Sequence, residues 1–288
     1  MKKLLILLCL FPLLLQGQIL NTAPPYLQKS TAAPAGGYCA EYQAVYDYMA
    51  MTTPPSADIA GHENDFVVAA KAHGYWTKLD WFVFFANEIN TAGEALINWA
   101  DPGNHSATLT GTVAWTSLQG VNTVTAGSFV DSNWNPTVDS VNFGKNHASF
   151  GVYSRTDATS DSPVFGNSVT AENLIILRSS GGNFKVCVNS ATLDYDAVAN
   201  TLGFFVAVRT SSTNEKSYQN GSPVSNITRT STAVPNDTFK ALRVRSIYDI
   251  TSYQISSAFI GGLLTAAEIA DFNTDLETLM DALGTGVE

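Results

Sequence analysis

The sequence predicts a mainly β protein, an antiparallel two-sheet jelly-roll sandwich with short helices at the N-terminus and one amphipathic helix at the C-terminus. Short apolar runs with period-two alternation recur from Trp81 onward, and turn signals rather than helices separate them. The connections are too short for the crossover helices of a parallel sheet. We therefore predict strands at 81–86, 107–115, 147–154, 173–178, 184–189, 202–209, 240–246 and 252–261, with turns at 101–103, 179–183 and 220–221.

The N-terminus has the form of a secretory signal peptide, which we assign to residues 1–17. Two lysines precede an apolar run from Leu4 to Leu15, and the small residue Gly17 follows. A membrane-spanning helix needs about 20 apolar residues, so this run is too short to be an anchor. We expect a secreted protein, extracellular or periplasmic, that does not insert into a membrane after signal cleavage.

Two segments precede the predicted sandwich, which takes up residues 75–288. Residues 18–37 are rich in Pro, Ala and Thr and predict an extended arm or linker. Residues 38–74 predict two short helices. The first runs from Cys39 to Met51 and is stopped by Pro54-Pro55, and the second runs from about Asp65 to His73. Asp65 is the expected N-cap of the second helix.

The chain ends with a predicted helix over residues 265–283. Thr265 and Glu268 have the spacing of a capping box, in which each side chain bonds the other residue's backbone N–H. A single apolar stripe follows at helical spacing, so we expect the helix to pack on a sheet or to cover a sheet edge. The stripe consists of Ile269, Phe272, Leu276, Leu279, Met280 and Leu283.

The stretch "KSYQNGSPV" predicts a β-hairpin with the tight turn Asn220-Gly221. A type I′ turn needs positive φ at both central residues, which Asn-Gly tolerates. Pro223 has no amide donor, so the hairpin lies at a sheet edge or its proline points outward. A two-residue turn places Tyr218 opposite Pro223, whereas a bulged loop shifts the pairing by one residue.

This hairpin and three other stretches resemble concanavalin A-like and laminin-G-like sandwich domains. The motif Tyr-x-Asn-Gly-x-x-Val follows "GFFVAVR", and "YQISSAFIGGLLTAAEIADF" is similar to the closing strand and helix start of that superfamily. The stretches "SNWNPTVDSVNFGKNHASFGVYSRTD" and "GEALINWADPG" resemble a group found in bacterial secreted proteins and phage structural or tail-associated proteins. The resemblance covers about residues 75–288. It implies a lectin-like scaffold, with carbohydrate recognition common across the superfamily, and it carries over no catalytic motif.

The charge balance argues against a nucleic-acid or anionic-membrane partner. The formal charge is −10, and removing Lys2 and Lys3 with the signal peptide makes it −12. Ser, Thr, Asn and Gly replace charged residues, which is typical of an exported β protein.

No catalytic motif is visible, so we expect a protein that is not an enzyme. Concanavalin-like β-glucanases place acids as Glu-x-Asp-x-x-Glu or Glu-x-Asp-x-Glu on one strand, and that run is missing here. Glu63 and Asp65 lack a third acid, and Asp194 with Asp196 is interpreted as a solvated pair at a strand end. There is also no G-x-S-x-G, H-E-x-x-H or P-loop motif.

The predicted ligand site surrounds Trp134, an aromatic residue in a polar loop. A sugar ring can stack its apolar face on an aromatic ring while amides and carboxylates bind its hydroxyls. A packed loop anchor is the favoured alternative for Trp134. Calcium is a possible cofactor through Asp131 and Asp139, although an Asx-rich loop that bonds itself is favoured. The candidate ligand residues are Trp134, Asn133, Asn135, Asp139, Tyr153 and Arg155.

Two cysteines remain in the exported chain, Cys39 and Cys187. Export permits a disulfide between them, but two isolated thiols are the favoured alternative. Cys187 alternates with Val186 and Val188, so its side chain is expected to point away from theirs.

We therefore expect a non-enzymatic exported recognition module for a glycan or cell-surface polymer. The alternative is a structural subunit of an extracellular or phage/virion assembly, in which the arm 18–37 adds to the sheet edge of a like subunit. A second alternative is a polysaccharide-cleaving enzyme whose acids converge from separate strands.

Overall fold

The computed structural model describes residues 37–168, 172–244 and 253–288. The predicted signal peptide and the arm up to residue 36 lie outside the described residues. Three helices are present there: α1 (Ala40–Ala50), α2 (Ala57–Ala72) and α3 (Ala266–Ala282). None of the helices in these ranges is long and apolar enough to cross a bilayer.

The strands form two antiparallel sheets, which confirms the predicted sandwich. Sheet A has the order β13-β12-β11-β6-β15-β4-β3, with β1 also paired to β15, and sheet B has the order β10-β9-β8-β7-β14-β5-β2. The strands of sheet A are β1 (Leu79–Phe84), β3 (Val113–Thr116), β4 (Gly120–Thr123), β6 (Ala148–Ser154), β11 (Gly203–Ser211), β12 (Asn214–Gln219), β13 (Ser222–Thr228) and β15 (Ile255–Gly261). Those of sheet B are β2 (Thr108–Thr110), β5 (Phe129–Asp131), β7 (Phe165–Ser168), β8 (Glu172–Ile176), β9 (Asn183–Ser190), β10 (Asp194–Ala197) and β14 (Lys240–Ala241).

The central strands of sheet A are buried on both faces, as strand β11 shows. Phe205 and Ala207 point into the core between the two sheets. Phe204 and Val206 alternate with them and pack in a second cluster with the helices. A strand buried on both faces has no polar side to display, so the continuous apolar run of β11 follows from its central position. The molecule thus has three layers: helices, sheet A and sheet B.

Helix α3 covers the outer face of sheet A. The predicted capping box of Thr265 and Glu268 is present, and the predicted apolar stripe is buried. Phe272 lies at the centre, with its ring centroid 4.8 Å from that of Phe204 and 5.0 Å from that of Phe259. The amphipathic pattern therefore predicted both the helix and the surface that it covers.

The predicted start of the second helix was wrong. Helix α2 begins at Ala57 after the N-cap position Ser56, so Asp65 lies inside the helix and not at its end. Glu63 and Asn64 belong to the buried face of this helix. A helix is predicted from apolar residues at helical spacing, and these buried polar residues interrupt that spacing. The first half of α2 was therefore not predicted as helix.

The predicted hairpin is confirmed. Asn220 and Gly221 have φ values of +50° and +70°, as a type I′ turn requires. Tyr218 pairs with Pro223, and a register shift follows between Ser217 and Tyr218. Strand β13 ends sheet A, which is the edge position that a proline-bearing strand needs.

The predicted strand over 107–115 is two strands in different sheets. Strand β2 belongs to sheet B and β3 to sheet A. Between them Gly111 has φ +73°, and a Cβ there would lie 2.5 Å from Ser128 Oγ. A left-handed glycine thus turns the chain from one sheet into the other. Of the strand predicted over 240–246, residues 245 and 246 lie outside the described residues. Within 240–244 the strand is Lys240–Ala241, before Leu242 at φ +72°.

Candidate functional site

Trp134 is a packed loop anchor, which was the favoured alternative to a stacking platform. Its side chain is 1% exposed and belongs to the core between the sheets. The ring centroid lies 5.8 Å from that of Phe143 and 6.0 Å from that of Phe239. A buried ring offers no face to a sugar, so the structure corrects the predicted stacking role of Trp134.

The polar residues of the same loop bond each other. The backbone N–H of Asn133 donates to Asp131 Oδ1 at 2.9 Å, and that of Asn135 donates to Asp139 Oδ2 at 2.8 Å. The carboxylates thereby stabilise the turns of their own loop. No three His, Cys, Asp or Glu side chains in the described ranges come together as a metal site. Calcium at Asp131 and Asp139 stays a prediction.

Tyr153 and Arg155 lie away from the Trp134 loop. Tyr153 is fully buried on the helix side of sheet A, where its hydroxyl donates to Glu277 and accepts from the backbone N–H of Val287. Arg155 donates from Nε to the carbonyl of Thr285 at 3.0 Å. Both side chains thus anchor the C-terminal tail, and the predicted six-residue site is not assembled.

The possible disulfide between Cys39 and Cys187 is absent, because both thiols are free. Cys39 packs with the helical layer, whereas Cys187 packs on the outer face of sheet B. Packed sheets alone stand about 10 Å apart, and two layers of sheet therefore separate the thiols. As predicted, Cys187 points away from Val186 and Val188, which face the core between the sheets.

The outer face of sheet B carries the most exposed aromatic ring. Of the aromatic side chains in the described ranges, Tyr195 is the one with more than a third of its surface exposed, at 64%. The buried cluster of the helical layer contains no side chain from sheet B in those ranges. Tyr195 therefore lies on a sheet face that the helices leave uncovered.

Strands β9 and β10 place polar side chains beside this ring. Tyr195 pairs directly with Lys185, and Ala197 pairs with Asn183. Directly paired residues share one face of a sheet, with Cβ atoms about 5 Å apart. A hollow of about 390 Å³ is lined by Asn183, Lys185, Thr192, Leu193 and Tyr195. We call this surface the Tyr195 face.

A small apolar cluster makes the floor of the Tyr195 face. Leu193 packs over the buried side chains of Leu174, Cys187 and Val244. Cys187 Sγ also donates to the carbonyl of Ser190 at 3.1 Å and so holds the β9–β10 turn. Burial raises the pKa of this thiol to about 12, which keeps it protonated as a donor at neutral pH. The floor is therefore fixed before any ligand arrives.

Two cations adjoin the hollow. Lys185 Nζ lies 3.7 Å from Asp161 Oδ1. Hydrogen bonding by Ser180, with the nearby Lys185, holds the pKa of Asp161 below its usual value. Arg229 donates from one terminal nitrogen to the carbonyl of Thr192 at 2.6 Å. The face thus combines an aromatic ring with amide, hydroxyl and cationic groups.

A second hollow, of about 480 Å³, lies between α1 and β2 and is lined by Tyr48, Ala92, Gly93, Leu96, Ile97, Ser106, Ala107, Thr108 and Leu109. The aromatic residue of this hollow, Tyr48, is partly buried, and the other lining residues are mainly small or apolar. Asn133 donates to the carbonyl of Ser106 at 2.7 Å, so this hollow adjoins the Trp134 loop. It offers no charged group from the described residues that line it.

Sequence reasoning missed the Tyr195 face, although one signal was present. In the run Asp194-Tyr195-Asp196, period-two alternation of a strand assigns Tyr195 to the face opposite that of the two acidic positions. What the sequence does not reveal is that β10 pairs with β9 and that no helix of the described chain packs over this pair.

No protein-family model and no curated protein sequence matches this chain. Solved structures do share its fold. A mutant of Trypanosoma rangeli sialidase displaying trans-sialidase activity has a TM-score of 0.52 at 12% identity, covering 78% of this chain and 39% of that one. The binding domain of botulinum neurotoxin serotype G has a TM-score of 0.52 at 12% identity, and the match covers 69% of this chain and 51% of that one. Domain 4 of an extracellular GH43 arabinanase from Geobacillus stearothermophilus, in complex with arabinotriose, has a TM-score of 0.46 at 16% identity. That match covers 68% of this chain and 98% of the other.

The sialidase and the toxin domain, each with a TM-score of 0.52, show that the chain shares its β-sandwich fold with solved structures. The chain spans well under half of the sialidase and about half of the toxin domain. At such identities the likeness shows the fold alone.

Proposed function

We propose that the protein is an exported, non-enzymatic recognition module that binds a glycan or cell-surface polymer through the Tyr195 face. One observation carries the proposal: an exposed tyrosine stands beside amide, hydroxyl and amine groups in a hollow on the uncovered sheet. This pairing suits a pyranose ring, because the apolar face of the sugar can stack on an aromatic ring while its hydroxyls hydrogen-bond to planar polar groups.

The rigidity of the face favours binding. Tyr195 and Lys185 are held by strand pairing, and the turn between β9 and β10 is fixed by Cys187 and Leu193. A preorganised surface loses little conformational entropy when a ligand binds. The shared fold also supports a saccharide ligand at the level of class, since the Trypanosoma rangeli protein is a sialidase.

The composition of the hollow supports recognition over cleavage. Glycoside hydrolysis in most families uses two carboxyl groups that flank the scissile bond. The described residues that line the hollow supply an amide, an ammonium, a hydroxyl, a leucine and a phenol. Export is supported by the signal-peptide pattern of residues 1–17.

A glycan array with the mature protein tests the proposal. We expect binding to at least one glycan class, a loss of at least tenfold in Tyr195→Ala, and retention in Tyr195→Trp, which keeps an aromatic face. Leu109→Ala changes the second hollow and serves as the control that keeps binding. A clean negative array, or equal binding by wild type and Tyr195→Ala, contradicts the proposal.

The alternative of an assembly subunit is favoured by the sheet edges. Strand β13 ends sheet A, and its outward residues Ser222 and Pro223 are exposed. An extended arm from a like subunit can add to such an edge, up to the proline that lacks a donor. Light scattering that shows defined oligomers, abolished by deleting residues 18–37, would favour this function over glycan recognition.

A further inference from the structure

We propose that the Tyr195 face selects acidic saccharides, with Lys185 and Arg229 binding the ring carboxylate of a uronate-type sugar. This inference rests on the proposed glycan-binding function and specifies its ligand class. It arises from the distribution of charge around the β9–β10 turn.

Strand register separates the charges of this hairpin. Lys185 and Tyr195 pair directly on the outer face. Asp194 and Asp196 occupy the alternate register positions, opposite Val186 and Phe184 of the core between the sheets. Period-two alternation therefore assigns the cation of Lys185 to the outer face and the carboxylate of Asp196 to the other face.

The ammonium of Lys185 retains its hydrogen-bonding capacity. Its distance of 3.7 Å from Asp161 Oδ1 is longer than a hydrogen bond. Asp161 itself accepts from the backbone N–H of Ser180 at 3.2 Å and has a side chain that is 54% exposed. A loose and solvated ion pair of this kind contributes little to stability. A ligand carboxylate can therefore bind the Lys185 ammonium, and the carboxylate of Asp161 stays solvated when it does.

Arg229 supplies the second cation. It donates one bond to the carbonyl of Thr192, which lines the hollow, and it forms no ion pair within the described part of the chain. The nearby acid Glu215 is taken by Arg209 at 2.7 Å, and both of those side chains are fully buried. A guanidinium has five N–H donors in a planar fork that matches a carboxylate. Arg229 therefore brings an uncompensated charge to the rim of the hollow.

The geometry suits a ring carboxylate. A uronate carries its carboxylate on a ring carbon, at the periphery of the sugar. When the ring stacks on Tyr195, that group lies at the rim of the hollow, where Lys185 and the turn at Thr192 flank the tyrosine. The remaining hydroxyls can bond Asn183 and Thr192. Aromatic stacking thus provides general sugar affinity, and the cations provide the preference for acidic sugars.

The test compares polysaccharides with their carboxyl-reduced forms, which share backbone and linkage but lack the charge. Affinity electrophoresis with polygalacturonate, alginate and hyaluronan, each beside its reduced form, measures the preference of the mature protein. We expect about tenfold tighter binding to at least one acidic form, the size expected for hydrogen bonds to a charged group.

Three variants separate the possible causes. Lys185→Gln/Arg229→Gln should lose the acidic preference and bind both forms alike, and Tyr195→Ala should lose both. Lys145→Gln/Lys216→Gln removes the same number of charges elsewhere and should behave as wild type. Equal wild-type binding to acidic and reduced forms overturns the acidic preference and leaves glycan recognition standing. Absence of binding to every form, together with a negative neutral array, overturns both.

Discussion

The outer faces of the two sheets differ in what covers them. Sheet A turns aromatic rings such as Phe82, Phe204 and Phe259 outward, and the three helices bury them. Sheet B turns Lys185 and Tyr195 outward, and among the described residues a small apolar cluster lies beneath them. In the described residues, the same sandwich thus has one outer face covered by helices and one outer face that helices leave uncovered.

The difference predicts where a substitution has a high cost in stability and where it has a low cost. A residue in the helical layer touches several rings, so changing it disturbs the fold. An exposed residue over a fixed floor can change with little effect on stability. Three predictions test this division, beginning with the one that has the largest expected effect.

Removing the central ring of the covered face should be strongly destabilising. Phe272 packs against Tyr75 at 4.4 Å between ring centroids and is fully buried. Phe272→Ala should lower the free energy of unfolding by about 4 kcal/mol, measured by chemical denaturation. Tyr195→Ala removes a ring from the uncovered face and should stay within about 0.5 kcal/mol of wild type. Similar losses in the two variants would show that the faces do not differ.

The buried carboxyl of Glu63 should make the helical layer sensitive to pH. Desolvation raises its pKa to about 8 from an ordinary 4.5, against the hydrogen bond that Tyr42 donates at 2.5 Å. The folded state therefore holds a proton that the unfolded state releases above pH 4.5, and this group lowers stability as pH rises towards 8. Between pH 4.5 and pH 7 this group should lower the free energy of unfolding of the wild type by about 3 kcal/mol. Glu63→Gln should not show that decrease.

Denaturation of wild type and Glu63→Gln across that pH range measures the difference. The control is Glu41→Gln on α1, a partly exposed carboxylate whose hydrogen bond with Lys71 holds its pKa below the usual value. Its difference from wild type should be small and should not grow with pH above 5. If the difference in the free energy of unfolding between wild type and Glu63→Gln does not change with pH, the buried carboxyl is ionised in the folded protein.

The capping box of α3 should contribute the smallest of these effects. Glu268 donates its backbone N–H to Thr265 Oγ1 at 3.3 Å, and Thr265 returns a bond to Glu268 Oε2 at 2.8 Å. Thr265→Ala should cost about 1 kcal/mol. Thr278→Ala, at an exposed position within the same helix, should cost less or stabilise it. If the two variants lose the same stability, the cap does not secure the covering helix.

Local chemistry predicted much of this fold. Asn220-Gly221 specified its turn, and the capping box specified where α3 begins, because both signals depend on neighbouring residues. The start of α2 was missed since Glu63 and Asn64 face inward, a choice that tertiary packing makes. The corner at Gly111 was missed because alternation does not say to which sheet a strand belongs.

The site was harder to predict than the fold. The burial of Trp134 depends on Phe239, which is distant in sequence, and a polar loop gives no sign of that contact. The exposure of Tyr195 depends on which strand pairs with β10 and on where the helices pack. Both properties depend on long-range contacts, which composition and periodicity do not predict.

Binding at the Tyr195 face is tested most directly by an NMR titration of the mature protein with an oligosaccharide from a glycan that the array identifies. Binding there predicts that amide shifts concentrate at the β9–β10 hairpin, including Asn183, Lys185 and Tyr195, while the helical layer stays unchanged. Shifts concentrated in the helical layer, in the Trp134 loop or around Tyr48 would contradict it.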